Sequence, residues 1–168
     1  MAQDSAYTSL NQVPAFFKSK TFGHLVSEHK ITKILDVGGG KFDTATDFLS
    51  EKENIQNIVY DPYNRSEKHN LRAMKSFQQP VEEGYGKMVV CLNVLNVIHN
   101  DDELEATVAF CACNAMGCTV VFQIYEGSKS GRKTTKTVQR NQRTSAYVKT
   151  VQKFFKNVRV TRNLIIAS

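Results

Sequence analysis

Lys33-Ile34-Leu35-Asp36-Val37-Gly38-Gly39-Gly40-Lys41-Phe42-Asp43 is the stretch that decides how the rest of the chain is read. Lys33 to Val37 is short and rich in branched residues, the composition of a strand buried on both faces, and it runs directly into three glycines. A tight turn must follow. Phe42, Ala45, Thr46 and Leu49 then recur at helical spacing, so the segment reads as strand, glycine turn, helix. In an α/β sheet such a turn lets a nucleotide-like cofactor approach the backbone, because glycine has no Cβ and the first helical amides are unpaired. A three-glycine turn also arises wherever a loop needs positive φ, so the surrounding pattern has to carry the argument.

That pattern is present. Asn57-Ile-Val-Tyr60 makes a second strand that ends in Asp61-Pro62-Tyr63-Asn64. An acid at this place, about 20 residues beyond the glycines, is positioned to accept hydrogen bonds from ribose hydroxyls, the alternative being an ordinary turn aspartate before proline. Asp43 stands where the dinucleotide-binding fingerprint has its third glycine, so Gly-x-Gly-x-x-Gly is not completed. Asp36, two residues before the first glycine, places a carboxylate at the end of the first strand.

A chain of 168 residues suits one domain with a full core. No apolar run reaches the roughly 20 residues of a membrane helix, and the opening residues lack a signal-peptide core, so a soluble intracellular protein with no membrane partner is expected. Cys91, Cys111, Cys113 and Cys118 lack paired Cys-x-x-Cys spacing and read as reduced core residues, with no metal site expected. Charge is segregated: residues 1–126 carry 11 Lys+Arg and all 16 Asp+Glu, whereas residues 127–168 carry 11 Lys+Arg and no acid. The net values, −5 and +11, describe an acidic body with one basic face. Such a face favours a polyanionic partner, and the alternative is that it only confers solubility.

Residues 1–12 are polar and expected to be flexible, and Pro14 opens one or two helices bearing Phe16, Phe17, Phe22, Leu25 and Val26 up to His29. The phenylalanines suit the core better than a lid over a cleft. Ser66 caps a helix with Leu71 and Met74 on its inner side. Lys87 to Leu92 is another buried strand, and Asn100 to Glu103 has capping-box spacing before an apolar stripe of Leu104, Val108 and Cys111. Cys118 to Tyr125 is the strongest strand signal, followed by a basic loop over residues 127–143. Tyr147 to Phe155 reads as an amphipathic helix, and Val158 to Val160 with Leu164 to Ala167 as a closing hairpin.

Asp36-Val-Gly-Gly-Gly40 resembles the Asp/Glu-x-Gly-x-Gly motif of class I S-adenosylmethionine-dependent methyltransferases, departing from its longer form at Phe42, where a further glycine is usual. Asn93-Val-Leu-Asn96 is similar to the Asn-Val-Leu-Glu-type segment that lines the donor pocket in many of them, and differs from the motifs of the DNA amino- and cytosine-carbon enzymes. Together with Tyr60-Asp-Pro-Tyr-Asn-Arg65 and Tyr125-Glu-Gly-Ser-Lys-Ser-Gly131, these segments look like a set of small bacteriophage proteins related to that family. The resemblance implies a single Rossmann-like domain over residues 1–168, with a mostly parallel twisted sheet, helices on both faces and a carboxyl-terminal antiparallel hairpin. It implies an S-adenosylmethionine cofactor held by Asp36, Gly38, Gly39, Gly40, Asp61 and Asn93, no metal, and a host-cytoplasm location. Asn93, Asn96 and Tyr125 are the implied reaction-pocket residues. Lys129, Arg132, Lys133, Lys136, Arg140 and Arg143 form the expected nucleic-acid-binding set. His99 is either a base or a histidine at a helix entrance. A non-catalytic protein of this fold that binds a host protein or nucleic acid, and a methyltransferase acting on a small molecule, are the alternatives.

Overall fold

The computed structural model describes residues 10–132 and 139–168. Lys133 and Lys136, and the first nine residues of the expected flexible start, lie outside the described residues. The elements in chain order are a 3₁₀ turn at Ala15–Lys18, α1 (Lys20–His29), β1 (Ile31–Val37), α2 (Thr44–Glu53), β2 (Gln56–Tyr60), α3 (Glu67–Gln78), β3 (Gly86–Leu92), a 3₁₀ turn at Leu95–Val97, α4 (Asp101–Ala115), β4 (Thr119–Gln123), α5 (Ser145–Val151), β5 (Val158–Thr161) and β6 (Leu164–Ala167). The six strands form a mostly parallel sheet in the order β2-β1-β3-β4-β6-β5, with the antiparallel β5–β6 hairpin at one edge. Two compact units divide the chain within β3, one running to Met88 and the other from Val89 to Ser168.

In the first unit, β1 and β2 pair in parallel with Asp36 opposite Val59 and Val37 opposite Tyr60. Both strands are dominated by buried branched residues, Ile34, Leu35 and Val37 on β1 and Ile58 and Val59 on β2, so burial rather than propensity fixes the register. Helices α2 and α3 both pack against β2. Phe16, Phe17 and Phe22 form a core cluster with ring centroids 5.3 to 5.8 Å apart, as expected for core rather than lid residues. Ser19 caps α1 and Ser66 caps α3, each hydroxyl accepting from the amide three residues on. The inner side of α3 is Asn70, Ala73 and Phe77, whereas Leu71 is 58% exposed. The expected pairing of Leu71 with Met74 on that side is therefore out of phase: Asn70 must face β2 to bond the Asp61 main chain, which turns Leu71 outward. Beneath α3 the buried Lys33 ammonium donates to Ser76 O at 3.2 Å and Gln79 O at 3.1 Å, satisfying carbonyls at the helix end.

In the second unit, β6 lies antiparallel to both β4 and β5, with Val121 opposite Ile166 and Val160 opposite Ile165. Asn100 caps α4 through bonds from the Asp102 and Glu103 amides, and Leu104, Val108, Cys111 and Ala115 form its buried stripe. Helix α5 stops at Val151, short of the expected Phe155. The Phe154 and Phe155 amides both turn back to Val151 O, and Phe155 meets the Phe122 ring at 6.1 Å while Phe154 stays 38% exposed. Among the described residues no cysteine forms a disulfide; Cys91 and Cys111 are buried and Cys118 is half-buried, but Cys113 is exposed because it falls opposite the stripe of α4 and is not a core residue.

Gly86 and Gly23 make a paired test of this packing. A Cβ at Gly86 would lie 2.4 Å from the His29 carbonyl oxygen, a main-chain atom that cannot step aside, whereas one at Gly23, inside α1, meets nothing within 4 Å. Gly86→Ala is expected to cost about 2–3 kcal/mol. Gly23→Ala should gain about 0.5–1 kcal/mol. Urea denaturation midpoints of the two variants check both signs.

Candidate functional site

The glycine bend is built from the inside outward. Gly38 and Gly40 have φ of 77° and 80°, a region that L side chains rarely adopt. A Cβ on Gly39 would sit 2.7 Å from the Asp36 carboxylate and 3.0 Å from Val59 Cγ1, so no side chain fits between the bend and the strands. The Gly38 amide donates to Tyr60 O at 2.7 Å, and the Gly40 amide donates to Asp61 Oδ2 at 2.9 Å. The bend and the acid at the end of β2 thus meet directly.

Asp61 is only 3% exposed, and its carboxylate collects four donors. Oδ1 accepts from the Tyr63 and Asn64 amides, each at 2.9 Å; Oδ2 accepts from the Gly40 amide and from Asn64 Nδ2 at 3.0 Å. Its main chain is gripped by the Asn70 side chain, which accepts from Asp61 N and donates to Asp61 O. Arg65 closes the other side, with Nε donating to Gly40 O at 2.8 Å and the guanidinium paired to Asp43 at 2.7 Å. The roles of Asn64, Arg65 and Asn70 were not anticipated from sequence. The Asp-x-x-Asn spacing of Asp61 and Asn64 is the one local signal for any of them, being that of a side chain folding back onto a turn.

Asp36 lies under the bend, also 3% exposed, and its strongest partner is a long 3.4 Å bond from Asn57 Nδ2. Burial pushes its carboxyl up from 3.8 to about 7, the nearby Asp61 charge adds to this, and the Asn57 bond and Arg65 oppose it. Asn57 itself is 6% exposed; its Nδ2 also donates to Thr46, and its Oδ1 has no partner among the described residues. It lines a cavity of about 250 Å³ with Thr46, His69, Arg72 and Ser76, to which the glycines do not contribute.

The second unit gathers the remaining residues. Asn93 is exposed, with φ of 58°, and donates its amide to Gln123 O at 2.8 Å; Tyr125 is 57% exposed. Asn96 departs from its expected place in a pocket wall. It is 1% exposed, its Oδ1 accepts from Tyr125 N, its Nδ2 donates to Gln139 Oε1 at 2.8 Å, and its carbonyl accepts from Arg140 N, so it stitches main-chain segments together. The basic loop needs the same correction at Arg140. This side chain is 6% exposed, donating to Ile98 O and paired with Asp101, because its guanidinium satisfies the chain entering α4. Glu126 fastens the far end of the loop by accepting from the Thr144 amide and hydroxyl at 2.7 and 2.8 Å and from Lys129 at 3.1 Å, contacts that pull its carboxyl down to about 2. Arg132, Arg143, Lys149, Lys156, Arg159 and Arg162 are exposed.

No protein-family model matches the chain, and no curated protein matches its sequence. Solved structures do match. The O-methyltransferase NcsB1 from neocarzinostatin biosynthesis, in complex with S-adenosyl-L-homocysteine and 1,4-dihydroxy-2-naphthoic acid, aligns with a TM-score of 0.56 at 16% identity, over 90% of this chain and 53% of that one. The methyltransferase CalO6 gives 0.53 at 13% identity, over 98% and 62%. Human N-acetylserotonin methyltransferase in complex with S-adenosylmethionine gives 0.50 at 12%, over 91% and 57%. The fold is thus the Rossmann-like methyltransferase fold, and the chain spans between about half and three-fifths of the length of these structures. None of the helices among the described residues is long and apolar enough to cross a membrane.

The raised carboxyl of Asp36 makes folding depend on pH. Because the folded state holds this proton more tightly than the unfolded chain, its effect is neutral below about pH 4, and stability falls as pH rises toward 7. Asp36→Asn removes the titration. The variant's stability relative to the wild type is expected to rise by roughly 2–3 kcal/mol between pH 5 and pH 8. Chemical denaturation at the two pH values measures it, and a constant difference would show that Asp36 ionises freely.

Proposed function

We propose that this chain binds S-adenosylmethionine at the glycine bend and transfers its methyl group. The observation that carries the reading is the 2.9 Å bond from the Gly40 amide to Asp61, which brings the bend and the acid of β2 to one point in a strand-turn-helix-strand unit. The fold shared with methyltransferases solved with S-adenosylmethionine or its demethylated product supports it.

The residues fit an adenosyl group on two counts. The three residues of the bend carry no side chains of their own, and the fourth donor on Asp61 is a side-chain amide that can be exchanged for a hydroxyl. When bound, the donor supplies a methyl group already activated on a sulfonium. The protein has then to position the acceptor and exclude water. Asp61 is assigned to the ribose, the Gly38–Gly40 backbone to the amino-acid part of the donor, and Asp36 to the vicinity of its ammonium, directly or through water. Asn93 and Tyr125 are assigned to the reaction pocket, with Asn96 holding the Tyr125 main chain. Isothermal calorimetry with S-adenosylmethionine and S-adenosyl-L-homocysteine should give saturable binding, weakened at least tenfold in Asp61→Asn, whose new amide group opposes the Gly40 amide. No binding at millimolar ligand would remove the proposal.

The acceptor we favour is a nucleic acid, held by phosphate contacts from Arg132, Arg143 and neighbouring exposed cations of a segment that contains no acid. Arg140 is withdrawn from this set by its burial. The resemblance of the sequence motifs to bacteriophage proteins supports a phage-encoded protein acting in a host cytoplasm. Electrophoretic shift assays with duplex and single-stranded probes should show affinity falling steeply between 50 and 200 mM salt. Salt-independent binding would exclude the phosphate contacts.

A second reading, a non-catalytic protein that uses the fold and its basic face to bind nucleic acid or a host protein, is favoured by how fully Asp61 is already bonded. Retained nucleic acid binding without adenosyl binding would select it. A small-molecule acceptor, as in the neighbours' names, makes no use of the basic segment.

A further inference from the structure

We infer that Asn64 stands in for a ligand hydroxyl on Asp61, making it an affinity- and specificity-setting residue for adenosyl compounds; the inference rests on the adenosyl reading of the bend. A carboxylate offers about four acceptor positions, and all four on Asp61 are taken. Three of the donors are main-chain amides, those of Tyr63, Asn64 and Gly40, fixed by the turn after β2 and by the bend. They cannot leave without unfolding that turn or the bend. The fourth, Asn64 Nδ2 at 3.0 Å from Oδ2, belongs to a partly exposed side chain. Rotation about its own torsions moves it into water while its main-chain amide stays on Oδ1.

Oδ2 is also the oxygen that faces the bend, since it is the one that takes the Gly40 amide. A hydroxyl arriving there exchanges one neutral donor for another on the same charged acceptor, so the net gain from that hydroxyl in the wild type is small. Removing the Asn64 amide leaves the acceptor open, and the same hydroxyl then contributes the full bond. The side chain acts as a tethered competitor whose occupancy lowers apparent affinity by the fraction of time the acceptor is blocked.

The test compares adenosine, 2′,3′-dideoxyadenosine and S-adenosyl-L-homocysteine by calorimetry on the wild-type chain and on Asn64→Ala, with circular dichroism melting to verify folding. In the wild type, adenosine should exceed the dideoxy compound by less than about fivefold. In Asn64→Ala, adenosine and S-adenosyl-L-homocysteine should tighten by roughly three- to tenfold while the dideoxy compound is unchanged, having no 2′- or 3′-hydroxyl to use the vacated acceptor. Weaker or unchanged binding of the hydroxylated ligands, or an equal shift in all three, would overturn the inference while leaving the adenosyl site standing. A wild type that already prefers adenosine by a hundredfold would overturn it without recourse to the variant. Failure of both proteins to bind any of the three would instead remove the adenosyl reading and, with it, the role of Asn64.

Discussion

A buried carboxylate must be paid in hydrogen bonds, and Asp61 is the residue around which the first unit settles that requirement. Desolvating a lone carboxylate costs several kcal/mol. Its two oxygens recover this from the turn that follows β2, from the glycine bend and from Asn64. Because the donors come from segments about 20 residues apart, satisfying one charge also fixes where the bend stands relative to β2. Asn70 does the same for the main chain of Asp61, so the phase of α3 follows from the same residue. Arg65 completes the arrangement by holding Gly40 O and Asp43 together.

The features legible in the sequence were those whose causes are local. Ser66 and Asn100 declare helix starts because an N-cap oxygen reaches amides only two or three residues away. The strands were readable from unbroken apolar composition, and the bend from its glycines. What could not be read were partners chosen by tertiary packing. Arg140 lay in a run of exposed-looking cations, yet its guanidinium donates to Ile98 O, 42 residues earlier. Asn96 occupied a pocket-like motif but spends both its polar groups on Tyr125 and Gln139. Leu71 was the more apolar choice for the inner side of α3, and lost it because Asn70 had a stronger claim on β2.

The two carboxylates of the first unit differ in how they are kept. Asp61 is saturated with donors, whereas Asp36, equally hidden, has one long bond and no other direct partner among the described contacts. Identical chemistry thus yields a structural anchor in one case and a desolvated, proton-retaining group in the other. The second unit shows the converse with Glu126, whose bonds to Thr144 and Lys129 keep it ionised and tie together the ends of a basic segment.

The seating of β6 between β4 and β5 carries a kinetic consequence. Val120, Val121 and Phe122 of β4 are wholly buried once β6 has docked beside them, but that partner arrives about 40 residues later in the chain. Until then this flank of β4 is a bare, apolar ribbon with unpaired amides and carbonyls, the type of edge on which chains associate with one another. The step that closes it joins segments far apart in the chain, with α5 and β5 between them, and is expected to be slow compared with formation of the helices. The interval before β6 docks is therefore the one in which the edge of β4 is most open to association with another chain.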